Sequence, residues 1–111
     1  MAQYLVLIYQ DEQNLGPIGS MMGAHLDFQA ANKEALRGGE ALDRGNTAAS
    51  VRTDGADGFV VTDGPFVETK ETLGGYYLVE AADLDAAIAI ARQVPMSPGG
   101  GVEVRPIRVM N

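Results

Sequence analysis

An α+β fold is predicted by three features of the 111-residue sequence. Apolar runs and helical patterns follow the order strand, helix, strands, strand, helix, strand. The helical stretches repeat their apolar residues at about 100° per residue, and the opening strand is apolar on both alternating faces. That order is of the ferredoxin-like type, an antiparallel sheet with both helices on one face. Alanine-rich helices on one face leave the other uncovered. A homodimer in which two sheets pack face to face is the economical cover.

Each element follows from local signals. Tyr4 to Tyr9 is the first strand, and Asp11 to Gly19 is a polar loop leading to Ser20, a helix N-cap by residue type. From Met21 to Arg37 the pattern is helical, with Met21, Ala24, Phe28, Ala35 and Leu36 on one face and His25 and Asn32 as polar exceptions in the same stripe. Gly38-Gly39 then ends the helix, because glycine accepts the left-handed conformation common just past a C-terminus. Glu40 to Leu42 and Thr47 to Arg52 read as short strands around the Asp43-Arg44-Gly45-Asn46 turn, and a second turn at Asp54 to Gly58 leads into Phe59 to Thr62, so the middle of the chain is read as hairpins. Gly75 to Ala81 is a strand. Asp83 caps a helix running to about Gln93, with Leu84, Ala87, Ile88 and Ala91 on its apolar face and Pro95 as its stop. Val102 to Ile107 closes the chain as a strand, with Pro106 favouring an edge or a strand end.

The composition narrows the function classes. At this length the chain, 1–111, reads as one domain able to bury roughly 65% of its unfolded surface. Eight basic against fifteen acidic residues give a formal net charge of -7, so the overall field repels phosphate backbones and nucleic-acid binding is disfavoured. No cysteine is present, which removes disulfides and thiolate chemistry. The opening strand lacks the basic region of a signal peptide and no run reaches the length of a membrane span, so a soluble cytoplasmic protein is expected. One histidine and scattered carboxylates match no metal-site spacing, and no cofactor is expected.

The stretch from Asp63 to Tyr76 joins two strands through more residues than a turn needs, and loops rich in charge and glycine are disproportionately functional. Asp63 can accept from backbone amides two residues on, while Gly64 relieves the restriction that Pro65 imposes on its predecessor. The turn is stiff and presents a carboxylate.

Asp63-Gly64-Pro65-Phe66, then Glu68-Thr69-Lys70-Glu71, Leu73-Gly74-Gly75-Tyr76-Tyr77 and the terminal Val102-Glu103-Val104-Arg105-Pro106 resemble the YCII-related family, in its DGPF branch. The resemblance spans nearly the whole chain and implies a ferredoxin-like fold of the dimeric α/β-barrel superfamily. That superfamily includes cofactor-free monooxygenases, isomerases and haem-binding proteins, so the fold alone does not select a chemistry. The resemblance also implies an association with an extracytoplasmic-function sigma factor. In the YCII branch a histidine early in the first helix pairs with an aspartate before a proline after the second. His25-Leu26 is similar to the first of these, whereas Val94 precedes Pro95 here, leaving Asp63 as the substitute acid.

His25 is the only side chain whose ordinary pKa lies near neutrality, so it is the candidate general acid or base, with Asp63 orienting it or meeting substrate. Asn32, Glu68, Lys70, Tyr76 and Arg105 are the candidate substrate contacts. Arg105 could take a carboxylate bidentately, either a ligand's or that of Asp63 or Glu68. Three functions follow: a homodimeric small-molecule enzyme of isomerase, lyase or cofactor-free oxygenase type; a non-catalytic ligand-binding or regulatory module; and a structural dimerisation module.

Overall fold

The computed structural model describes residues 1–67 and 69–110. Six strands and two helices follow in order: β1 (Ala2–Asp11), α1 (Met22–Ala31), β2 (Leu36–Ala41), β3 (Ala49–Thr53), β4 (Phe59–Asp63), β5 (Glu71–Ala81), α2 (Leu84–Ala91) and β6 (Gly101–Pro106). Four strands form an antiparallel sheet in the order β2-β5-β1-β6. With β3 and β4 set aside as an inserted hairpin, this is the ferredoxin-like arrangement.

Strand alternation decides which side of the sheet is the core. Tyr4 and Val6 of β1 and Tyr77, Val79 and Ala81 of β5 point to the helix side, where they bury Phe28 of α1, Ala87 and Ala91 of α2, and Val94. Val6 and Val79 have no accessible surface at all. Register places Val104 beside Val6 and Val102 beside Ile8, so β6 adds its valines to the same layer. Leu5, Leu7, Tyr76 and Leu78 alternate onto the opposite face, where neither helix packs.

Asp83 caps α2 as its residue type predicts, accepting from the Ala86 amide at 2.8 Å. The first helix differs from expectation at both ends. Its N-cap is Met21 without a side-chain bond, rather than Ser20, whose amide instead donates to Pro17 in a turn. It stops at Ala31 because Asn32 turns its side-chain amide back onto the Phe28 carbonyl, an alternative to continuing the helix. The amides of Ala35 and Leu36 then fold onto the Asn32 carbonyl, and Leu36 begins β2 opposite Val79.

Gly38-Gly39 is accordingly part of β2, not a helix terminus. A Cβ at Gly39 would stand 2.6 Å from Cδ1 of Tyr77 and 2.7 Å from the Tyr76 carbonyl oxygen. Close approach to that ring is why glycine stands there.

The strand expected over Glu40 to Leu42 is the end of β2, which pairs with β5 rather than with β3. Among the described residues only β3 and β4 form a hairpin of their own, closed by the expected turn where the Asp54 amide donates to the Gly58 carbonyl. The β5 strand is longer than predicted, beginning at Glu71, and crosses an irregularity where Ile8 faces Gly75 but Tyr9 faces Leu73, leaving Gly74 as the extra residue. Among the described residues no helix is long and apolar enough to cross a membrane.

Candidate functional site

The loop after β4 is built on the hairpin that precedes it. Gly64 adopts φ 101°, a left-handed value open to glycine and strained for other residues, and this turns the chain between Asp63 and Pro65. Its amide donates to the Ala48 carbonyl at 2.7 Å, and its carbonyl accepts from Ser50 Oγ at 2.7 Å. Arg52 stacks its guanidinium 3.6 Å from the centroid of the Phe66 ring and donates to the Phe66 carbonyl at 2.8 Å. The first half of the loop is therefore fastened to β3.

Beneath that loop lies a cavity of about 890 Å³, open on one side. One wall is Pro65, Phe66, Val67 and Thr69, running into Glu71–Leu73 of β5; another is the β2–β3 connection from Leu42 to Ala48. Tyr9 and the start of β6 close the end. A smaller cavity of about 380 Å³ shares Gly45, Pro65, Thr69 and Thr72 with the first, and adds Glu12 and Asp63.

Polar side chains in this space are held by the backbone of the connection. Glu12 Oε1 accepts from the Gly45 amide at 2.6 Å, and Thr47 Oγ1 donates to the Arg44 carbonyl at 2.7 Å. These bonds fix a short 3-10 turn over Gly45–Thr47, just after Arg44. The half-buried Arg44 donates to the Gly16 carbonyl at 3.2 Å. Among the described residues it is the one cationic side chain lining either cavity; Asp43, Glu71 and Glu103 line the larger cavity with it, and Glu12 and Asp63 line the smaller.

Among the described residues, those singled out from sequence do not gather in one place. His25 lies between α1 and the sheet, its Nδ1 2.8 Å from Tyr77 Oη, which also accepts from Gln29 Nε2 at 3.1 Å. With the Nε2 end of Gln29 turned to the hydroxyl as donor, the Tyr77 proton points to Nδ1, an arrangement that requires the Nε2–H tautomer of His25. Burial lowers the pKa of His25 below its ordinary value, because the charged ring would lose water there. His25 lines neither cavity. Asp63 is exposed at the end of β4, opposite Ala49, and borders the smaller cavity.

Asn32 caps α1 and donates to Phe28 and to Gln93 Oε1 at 3.0 Å, which ties the first helix to the segment after the second. Lys70 is exposed at the far end of the loop, and Glu68 lies outside the described residues. Tyr76 is half-buried on the open face, between Leu7 and Glu40 in register. Arg105, expected to meet a ligand or the carboxylate of Asp63 or Glu68, pairs with Glu103 two residues away on β6. Both are partly exposed, so the pair contributes little to stability.

Sequence reasoning passed over Arg44, Glu12 and the two threonines Thr47 and Thr72. The Arg44 turn reads as a plain connection, yet an arginine there is one of only eight basic residues in the chain.

Residues 2–111 match the YCII-related domain. The chain belongs to the YCII-related family. Similarity extends to an uncharacterised protein of Rhizobium meliloti (strain 1021), 35% identical over 112 residues that cover 94% of this chain and 90% of that protein. The match to the YCII-related domain therefore takes in β1 through β6, both cavities and the loop from Asp63 to Tyr76 together.

Proposed function

We propose that this YCII-related chain, of the DGPF branch, is a cytoplasmic, homodimeric small-molecule-binding protein whose ligand occupies the cavity beneath the loop after β4. The observation that carries this reading is the placing of Arg44 in a cavity whose other charged lining residues are the carboxylates Asp43, Glu71 and Glu103, among hydroxyl and apolar side chains. A negative surround favours an ammonium group, and a lone guanidinium favours a carboxylate. A molecule bearing both, an amino-acid-like zwitterion with an apolar body against Phe66, Leu73 and Val102, satisfies every wall. Asp63 and Glu12 would meet donor groups at the end of the ligand in the smaller cavity, while Lys70 stands at the rim of the loop. The open sheet face with Leu5, Leu7, Tyr76 and Leu78 would be the dimer face. A sigma-factor association would make ligand occupancy its input.

Acid–base catalysis by His25 is a second reading, favoured by the burial that lowers its pKa and the hydrogen bond between Nδ1 and Tyr77 that orients its ring. It needs substrate on the helix side of the sheet, and Asp63 has no part in it.

The test is an NMR titration with three probes of one skeleton: L-phenylalanine, phenethylamine and 3-phenylpropionate. Phenylalanine is expected to bind most tightly and to shift amides of residues 43–47, 65–67 and 71–73. Arg44→Ala should abolish 3-phenylpropionate binding and weaken phenylalanine while sparing phenethylamine. Shifts confined to His25, Gln29 and Tyr77 would transfer the site to the helix side.

A further inference from the structure

The β3–β4 hairpin has two unlike faces. Its register sets Ala49 opposite Asp63, Val51 opposite Val61 and Thr53 opposite Phe59, and strand alternation collects these six on one side, apolar but for Thr53 and, at its loop end, Asp63. Val51, Phe59 and Val61 are 57%, 71% and 66% exposed. The reverse side is partly engaged within the chain, through Ser50 on Gly64 and Arg52 on Phe66, with Val60 and Thr62 beside them still exposed. An uncovered apolar face therefore backs directly onto the loop that walls the cavity.

The chain cannot cover that face itself. Its principal extents are 45 × 43 × 18 Å, and the smallest is the depth of one helix layer on one sheet. The hairpin is an arm that pairs only with itself and not with the four-stranded sheet, and the 18 Å extent leaves no depth for it to lie over that sheet. Consistent with this, the radius of gyration of 15.8 Å exceeds the roughly 13 Å expected of a compact chain of this length. A two-stranded hairpin alone is marginally stable in water, so the arm needs a partner surface.

Area identifies the partner. Leu5, Leu7, Tyr76 and Leu78 are only partly exposed, so the open sheet face offers on the order of 200 Å² of apolar area. A standard interface takes about 800 Å² per partner, of which about 56%, or roughly 450 Å², is apolar. The three arm side chains add about 350 Å² at their exposures, which brings the sum to that requirement. One chain thus carries two uncovered apolar surfaces, each too small alone, and a second copy is the single occupant that covers both.

We propose that the apolar face of the β3–β4 arm clasps a second copy of this chain, and that the clasp, through Arg52 and Ser50, stiffens the loop walling the ligand cavity. The inference rests on the homodimer reading above and adds to it where the partners hold each other and what that does to the site. Each arm reaches the other subunit reciprocally, as two-fold symmetry requires.

Sedimentation equilibrium of Val61→Asp, Thr62→Asp and Leu7→Asp tests it, with circular dichroism to verify folding. Val61→Asp is expected to raise the dimer dissociation constant at least tenfold, and Thr62→Asp, on the reverse face, less than threefold. If Leu7→Asp dissociates and Val61→Asp does not, the clasp is wrong and the sheet-face dimer stands. A monomeric wild type, or three variants that all dimerise as the wild type does, would overturn both. Because the sequence holds no cysteine, a nitroxide on V51C reports the arm alone. Its motion should be restricted in the dimer and released on dilution; motion unchanged across dimerisation overturns the clasp. Amide exchange of Gly64, Phe66 and Val67 should accelerate at least tenfold in Val61→Asp, and unchanged exchange in a dissociated variant would overturn the stiffening.

Discussion

Tyr77 Oη and His25 Nδ1 meet at 2.8 Å across 52 residues of sequence, on the helix side of the sheet, while Tyr76 faces the other way. The contact couples the single histidine to the core. The Tyr77 ring also packs on Phe28 with centroids 4.8 Å apart, and its hydroxyl is held between His25 Nδ1 and Gln29 Nε2. A proton added at Nδ1 would turn that acceptor into a donor and leave the tyrosine proton without a partner.

This predicts a pH dependence with a definite sign. Burial holds the pKa of folded His25 below 6.5, whereas the unfolded ring titrates near that value. Between the two the unfolded state binds more protons, so stability falls as pH drops through the window below 6.5 and is fully present above it. Urea midpoints of wild type and His25→Gln, compared at about pH 7.5 and about pH 5, isolate the term. The wild type should lose more on acidification than the variant; equal losses would show that the histidine does not contribute.

Gly39 makes a contrast with its neighbour. A methyl group at Gly39 meets Tyr77 and the Tyr76 carbonyl, but at Gly38 it would rest 3.8 Å from Leu78 Cβ in ordinary contact. Gly39→Ala is expected to cost about 1–3 kcal/mol by overpacking. Gly38→Ala should stay within about 1 kcal/mol of wild type. Thermal melts of the two variants read the difference directly, and equal midpoints would remove the packing explanation of Gly39.

The second helix offers a test in the other half of the chain. Asp83 accepts from Ala86 at 2.8 Å and supplies the one side-chain bond at that terminus. Asp83→Ala should cost about 1 kcal/mol, which lowers the melting midpoint by roughly 4–8 °C in a domain near this size. Asp83→Ser, which keeps an acceptor oxygen, should recover most of it.

That helix was legible because its signals are local: a capping aspartate, an apolar period and Pro95 all lie within a few turns. The first was half legible. Leu36 fits the helical stripe of Phe28 as well as it fits a strand, and its pairing with Val79, set by residues far along the chain, decides the matter. The loop from Asp63 to Tyr76 announces itself by glycine, proline and charge, and its residues Pro65 to Val67 and Thr69 do wall the cavity of about 890 Å³. What lies opposite that loop could not be read, because Arg44 and Glu12 arrive there through the packing of separate segments. For the same reason residue type suggested joining His25 to Asp63, whereas the fold gives the histidine to Tyr77.

Glu12 is the link between those segments that can be cut most cleanly. Its Oε1 takes the Gly45 amide at 2.6 Å, joining the end of β1 to the turn that follows Arg44. A carboxylate acceptor makes a stronger bond than an amide oxygen of the same shape. Glu12→Gln keeps the volume and weakens the bond, so the turn should loosen while the sheet stays intact. Exchange of the Gly45 amide should rise several-fold with little change at Val6 or Val79. Phenylalanine affinity should fall with it, because Arg44 would no longer be held in place. An unchanged Gly45 amide would mean that the turn is fixed by Thr47 alone, and an unchanged affinity alongside faster exchange would mean that the ligand does not depend on where Arg44 is held.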